Sequence, residues 1–314
     1  MIVGLHDAEK DYFRHGKIFP NLALMKISAW HKAQGDTVEW WVPVLRYDRV
    51  YSSKVFDFTP DNPDLPDDTI RGGTGYRDLP MDQVLPPEID AMYPDYSIYQ
   101  DCDYAIGYLT RGCPNHCRWC VVPNKEGPIR PYRRWQDVVR QDTDKLVLMD
   151  NNILACEYGI EQLEAMIGSR YRIDLNQGMD ARLVDERIAS ILARLKWIRF
   201  IRFSCDQQAQ IEPIRRTIEL LGRYGVRPYQ IFIYILVTAD ITDASARVEA
   251  LKGYRAINLY AQAERNERLG VVPNEGQLEF AQRYVYGGSY RTETWTEYCR
   301  RKGFNYHELE FPAK

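Results

Sequence analysis

The sequence predicts an α/β protein in three parts: a small α/β unit with a linker over residues 1–102, a larger parallel sheet with helices outside it over 103–262, and a helical extension over 263–314. Three observations carry this. The 314 residues exceed one typical domain. A run of Asp and Pro followed by a stretch without periodicity interrupts the chain before residue 100. From Asp103 onward, short apolar runs alternate with amphipathic segments, the pattern of successive strand and helix pairs.

In the first part, residues 2–5 form a short apolar strand. Residues 20–34 have helical character, with Leu22, Ile27 and Trp30 on one face and Gly35-Asp36 as the stop. Residues 37–42 and 49–56 supply two further strands. The loop TPDNPDLPDD cannot hold regular structure, and Gly72-Gly73-Thr74-Gly75 reads as a tight backbone turn whose bare N–H groups suit a phosphate. Residues 79–99 read as a linker laid over the next part.

Six strands follow, at 104–109, 145–149, 171–175, 197–203, 229–237 and 256–261. Helices are expected at 161–167, 185–195, 213–224 and 242–251. That alternation gives a parallel sheet covered by helices, open or curled into a partial barrel, with its chemistry at the carboxyl ends of the strands. The extension is helical and aromatic, with Trp295, Tyr298, Phe304 and Tyr306 set to cap the mouth or pack on the flank.

Composition excludes several classes. The longest wholly apolar run, IFIYILV at 231–237, is far below the roughly 20 residues a membrane helix needs. The N-terminus lacks the basic start and apolar run of a secretory signal, so the expected location is the cytoplasm, with no membrane partner. A net charge of -3 excludes a protein that coats nucleic acid by general basicity. The charge is nevertheless polarised. Between Asp57 and Asp103, twelve acidic residues face Arg71 and Arg77, whereas between Arg111 and Arg140 six arginines and Lys125 face Glu126 and Asp137. Those arginines either form an anion site or pair with carboxylates elsewhere in the chain.

Seven cysteines are an odd set, and three of them crowd into Cys113-Pro-Asn-His-Cys117-Arg-Trp-Cys120, directly after the first strand of the larger sheet. In a reducing compartment this favours a metal or cluster site over disulfides. Three thiolates on one loop suit three irons of a cubane cluster and leave the fourth iron open to an exchangeable ligand. Structural zinc, with His116 as the fourth ligand, is the competing reading.

The spacing CxxxCxxC, with the aromatic Trp119 before the last cysteine, resembles the signature of the radical S-adenosylmethionine (SAM) superfamily. The resemblance covers roughly residues 103–262. It implies a partial (β/α)6, TIM-like barrel, a [4Fe-4S] cluster on the catalytic residues Cys113, Cys117 and Cys120, and SAM bound at the open iron. It further implies a reductant such as flavodoxin or ferredoxin. The substrate stays unknown, and the arginines around the cluster suit a nucleoside, an RNA or another anionic molecule. Asp150-Asn151-Asn152 occupies the place where the superfamily often has Gly-Gly-Glu for the SAM ammonium, although Asn152 also suits a helix N-cap. In the polar run after the third strand, Arg182 would meet the SAM carboxylate and Asn176, Gln177 or Asp180 the ribose or substrate; a surface pair of Asp180 and Arg182 is the alternative. Ser204 or Asp206 would contact ribose, and Thr238 lies at the adenine position. Cys205 reads as a buried small apolar residue.

Residues 121–130 look like the segment after the cluster loop in methylthiotransferases that modify transfer RNA, but residues 1–101 contain no cysteine for a second cluster. The first part resembles a reduced, Rossmann-like version of the domain that precedes the barrel in cobalamin-dependent radical SAM enzymes, without an Asp-x-His-x-x-Gly motif. The part either holds cobalamin or is a degenerate structural domain whose glycines only make a turn. Cobalamin-dependent methyl transfer and a non-catalytic iron–sulfur or zinc module are the competing functions.

Overall fold

The computed structural model describes residues 1–13, 19–254 and 256–304. Its N-terminal sheet has four parallel strands, β1 (Ile2–Asp7), β2 (Thr37–Trp40), β3 (Arg49–Ser53) and β4 (Ile70–Gly72), in the order β2-β1-β3-β4. A short helix α1 (Ala8–Tyr12) follows β1, and α2 (Leu22–Ala33) is started by Asn21, whose side chain accepts from the Leu24 N–H. Leu24 and Ile27 of α2 join Val3, Leu5 and Tyr51 in a small core of their own.

Strand β4 was not expected. Ile70-Arg71-Gly72 is too short to show alternation, and it is a strand because β3 offers it a partner. The glycines after it answer to close approach. Gly73 sits at φ +99°, and a Cβ there would lie 2.3 Å from the Lys54 carbonyl oxygen. The Gly75 N–H donates to that same oxygen at 2.9 Å, so the turn is bonded to the end of β3 rather than bare.

Residues 79–99 lie over the larger part, as expected, with Tyr93 donating to the Val139 carbonyl at 2.9 Å and the Tyr96 hydroxyl accepting from Ile106 N at 3.0 Å, and they also bond the N-terminal unit. Helix α3 (Pro87–Asp90) and the turn after it bring carboxylates to α2, where Lys26 Nζ meets Asp90 at 2.8 Å and Ser28 Oγ donates to Asp95 at 2.6 Å. Tyr99 donates to Asp7 at 2.6 Å. Part of the acidic stretch is thus neutralised by the lysines of α2.

The larger part begins with β5 (Ala105–Gly107), followed by an antiparallel pair, β6 (Thr110–Arg111) and β7 (Arg130–Pro131). The connection from β5 to the next parallel strand therefore holds this pair and a short helix α4 (Val122–Glu126), not the long helix a uniform alternation implies. Strands β8 (Lys145–Leu148) and β9 (Arg172–Leu175) complete a parallel sheet with β5. Strands β10 (Ile201–Ser204), β11 (Ile231–Val237) and β12 (Asn258–Ala263) form a second. Parallel bridges Ile173↔Trp197 and Met179↔Phe203 join the two, so the six strands lie in chain order. The architecture is mixed α/β, with parallel sheets and helices.

Helices α5 (Glu157–Ala165), α6 (Glu186–Arg194), α7 (Ile211–Arg223) and α8 (Ile241–Lys252) connect these strands. Along β11, Ile231, Ile233, Ile235 and Val237 are buried with Ile214, Leu221 and Val248 of the helices, whereas Phe232, Tyr234 and Leu236 stay half-exposed on the other face. Beyond β12, α9 (Glu275–Leu278) runs into a wide helical turn, Glu279–Val285, which packs on β12 beside α10 (Trp295–Lys302). Trp295 stacks on Tyr298 there, with ring centres 5.4 Å apart. The extension lies on the flank; Phe304 is partly exposed, and Tyr306 falls outside the described residues. Among the described residues no helix is long and apolar enough to cross a membrane.

Candidate functional site

The cysteine loop is closed at its base by the β6–β7 ladder, which pairs Thr110 with Pro131 and Arg111 with Arg130. Gly112 then turns the chain at φ +85°, and a Cβ there would lie 2.2 Å from the Pro128 carbonyl oxygen, so the two ends of the loop touch backbone to backbone. Glu126, with a side chain 5% exposed, ties the same point: it accepts from Gly112 N at 2.9 Å and from Asn151 Nδ2 at 3.0 Å, and pairs with Arg111 at 2.9 Å. Nothing in the sequence pattern singles out Glu126 beyond its being one of two acidic residues in a basic stretch.

Asp150 is buried and anchors the approach to the loop. Its carboxylate accepts from Leu109 N at 3.1 Å, from Thr110 N at 2.5 Å and from Thr110 Oγ1 at 2.7 Å. Burial pushes its carboxyl up to about 6, against the pull of those bonds. Asp150 and Asn151, expected to face a ligand, are thus engaged in holding the cysteine loop. Asn152 differs. It is 4% exposed, stands at the N-cap of the short helical turn Ile153–Ala155 without a side-chain capping bond, donates from Nδ2 to Cys113 Sγ at 3.7 Å, and its Oδ1 is buried without a partner. An orphaned buried carbonyl beside a thiol is a costly arrangement in a dry interior and suits a hydrogen-bond donor arriving from outside the chain.

The three thiols are free and half-exposed on this loop. Burial pushes the Cys117 and Cys120 thiols up, and the charge of the neighbouring cysteines adds to the effect, so the three sulfurs lie within electrostatic reach of one another. Among the described residues no group of three or more His, Cys, Asp or Glu side chains converges to hold a metal ion. His116, the fourth ligand of the zinc reading, is exposed.

Beside the loop lies a cavity of about 430 Å³. Cys117 and Trp119 line it from the loop, Asp206 and Gln207 from beyond β10, and Thr238 and Asp240 from beyond β11. Two carboxyl-terminal strand ends therefore meet the cysteine loop at one space, as parallel α/β architecture favours. Burial pushes the Asp206 carboxyl up, although it accepts from Leu236 N at 3.2 Å. Beneath the cavity Arg247, 0% exposed, donates to the carbonyls of Cys205 at 2.5 Å and Leu236 at 2.8 Å and pairs with Asp243 at 2.8 Å, fixing the ends of β10 and β11 together. Arg247 escaped notice because it reads as one more charged residue in an amphipathic helix. Cys205 is fully buried, as anticipated, and burial pushes its thiol up to about 12.

A scan against protein-family models and a search of curated proteins return no match.

The remaining sequence-named residues lie outside the cavity lining. Arg182 is held in a two-pronged pair by Asp180, at 2.8 and 2.6 Å, and Asp180 also accepts from Asn115 of the cysteine loop at 3.3 Å. The surface-pair alternative describes this arrangement, with Arg182 close enough to the loop to favour the Cys117 thiolate. Asn176 and Ser204 belong to the sheet face opposite the helices, where the Tyr234 hydroxyl donates to the Asn176 carbonyl oxygen at 3.1 Å.

The carboxyl edge of the N-terminal sheet was tested for cobalamin. Its switch point lies between β1 and β3, the place where an open α/β sheet admits a ligand. That place is filled by the chain itself. His6 Nδ1 and the Tyr76 hydroxyl both bond Ser52 Oγ, at 2.7 and 2.5 Å, and Glu9 accepts from Val55 N, Phe56 N and Thr59 Oγ1 at 2.9 to 3.1 Å. All of these polar side chains are buried. The residues present do not fit a corrin.

Proposed function

We propose that this protein is a radical SAM enzyme, cytoplasmic and reduced by a flavodoxin- or ferredoxin-type donor. The single observation that supports it is the cavity in which Cys117 and Trp119 meet Asp206 and Thr238, four residues 121 positions apart at their extremes that the superfamily pattern assigns to one site, the cluster and the SAM bound to it. The donor set suits a [4Fe-4S] cluster held by Cys113, Cys117 and Cys120. A cluster held there would supply the electron for reductive cleavage of the S–C5′ bond of SAM, which would leave methionine and a 5′-deoxyadenosyl radical able to take a hydrogen atom from the substrate.

The chain's own residues have defined tasks in this reading. Asp150 and Glu126 hold the loop, Asn152 offers its unpartnered oxygen to the SAM ammonium, and Trp119 packs an aromatic face on the adenosine. Asp206 and Thr238 accept and donate hydrogen bonds to the same nucleoside, and Arg247 keeps their strand ends at a fixed separation. The consecutive order of the six parallel strands supports a sheet curled into a partial (β/α)6 barrel around this space. Anaerobic reconstitution with iron and sulfide tests the reading: a reduced [4Fe-4S] electron paramagnetic resonance signal that changes on adding SAM supports it, and a cluster spectrum indifferent to SAM, or one retained by Cys117→Ala, contradicts it.

A further inference from the structure

Parallel sheets ordinarily have both faces covered. Here the helices bury one face of β10–β12, while Arg202, Ser204, Phe232, Tyr234 and Tyr260 remain half-exposed on the other. Aromatic rings dominate that face: Phe232 lies nearly parallel to Tyr260, with centres 5.9 Å apart at 28°, and Tyr234 and Tyr286 stand edge-on to Tyr260 at 6.0 and 5.9 Å. Gly178, at φ +82°, brings its backbone against this surface, where a Cβ would lie 3.0 Å from the Tyr234 ring and 2.6 Å from Ser204 Oγ.

The face carries a cation whose charge is already cancelled. Arg202 meets Asp174 through two parallel bonds of 2.6 and 2.7 Å, and its guanidinium lies 4.9 Å from the Phe232 ring centre. A phosphate or carboxylate set against this wall would be desolvated opposite an arginine already neutralised. A purely aliphatic group would bury the Ser204 hydroxyl and the Asn176 amide without partners. An uncharged planar ring with polar edges satisfies both constraints, stacking on the tyrosines while its rim takes the hydrogen bonds.

We infer that this face receives a nucleobase of the substrate. The inference rests on the radical SAM reading only in calling the bound group a substrate, since none of these residues lines the cavity beside the cysteine loop. Calorimetric titration of the reconstituted, SAM-saturated protein with the four ribonucleosides, with ribose 5-phosphate and with a single-stranded hexaribonucleotide tests it. At least one nucleoside should bind and ribose 5-phosphate should not. Tyr260→Ala should weaken nucleoside binding about tenfold by removing a stacking ring, and Tyr260→Phe should preserve it. If Tyr260→Ala does not fold, Tyr286→Ala, whose ring is 74% exposed, replaces it with an expected loss of about threefold. Tighter binding of the hexanucleotide than of its nucleosides assigns the base to an RNA; the reverse assigns it to a free nucleoside. Binding of ribose 5-phosphate as tight as that of the nucleosides, or nucleoside binding indifferent to the ring variants, overturns the inference. SAM binding without nucleoside or hexanucleotide binding overturns it alone, whereas failure to bind SAM overturns the catalytic reading and leaves any nucleoside binding to stand.

Discussion

Thr110 gives both its backbone N–H and its hydroxyl to one carboxylate oxygen of Asp150. This fastens the end of the first strand of the larger sheet to the end of the second, immediately before the cysteine loop begins. The bond has a pH signature. Burial pushes the Asp150 carboxyl up to about 6, above the value of about 3.9 in an unfolded chain. The folded state therefore holds this proton more tightly. Its contribution to stability is complete below about pH 4 and is lost as pH rises through 6, a change of about 3 kcal/mol. Urea unfolding of Asp150→Asn between pH 4 and 7 should lack that component; parallel pH profiles for the two proteins would refute it.

Glu126 joins three parts of the loop, and its removal leaves Arg111 half-buried and unpaired. Glu126→Ala should cost about 2–3 kcal/mol in chemical denaturation, and Glu126→Gln should recover roughly half by keeping the neutral hydrogen bonds. Equal losses for the two would show that packing, not bonding, dominates at this point.

Two glycines of the same loop separate strain from collision. Gly112 and Gly127 both have positive φ, but a Cβ at Gly127 meets nothing within 4 Å, whereas one at Gly112 strikes the Pro128 carbonyl. Gly127, at φ +69° and ψ -151°, occupies a backbone region essentially restricted to glycine, so Gly127→Ala should cost about 2 kcal/mol from strain alone. Gly112→Ala should cost well over about 2 kcal/mol and lower the iron retained after reconstitution. Thermal unfolding with an iron assay distinguishes them, and similar losses at both positions would contradict the close approach.

Arg247 is the buried post under the cavity. Arg247→Met should destabilise the protein by about 3–5 kcal/mol, because Asp243 and two strand-end carbonyls lose their donor together. Arg247→Lys should not rescue it, since an ammonium cannot present a planar fork to three acceptors. Full recovery with lysine would show that charge alone acts here.

What the sequence revealed followed local pattern, and what it concealed followed partnership. The apolar run IFIYILV marks a strand, but its uniform hydropathy does not say which face is buried; the alternation of buried and half-exposed residues appears only in the structure. Strand β4 and the β6–β7 pair are two or three residues long and exist only because a neighbouring backbone receives them. The cysteine spacing is local and therefore visible, as is the aromatic Trp119. Asp150 looked like a ligand contact because strand ends are where ligands bind, yet its carboxylate was needed by two N–H groups some forty positions earlier in the chain. Glu126 and Arg247 were missed for the same reason, since a buried charge cannot be told from a solvated one until its partners are placed.

The most direct test of the central claim is product formation. Anaerobically reconstituted protein, given dithionite and SAM, should yield 5′-deoxyadenosine measurable by liquid chromatography and mass spectrometry, and Cys117→Ala should yield none. An intact [4Fe-4S] cluster that binds SAM and, under the same reduction, releases no 5′-deoxyadenosine would contradict it.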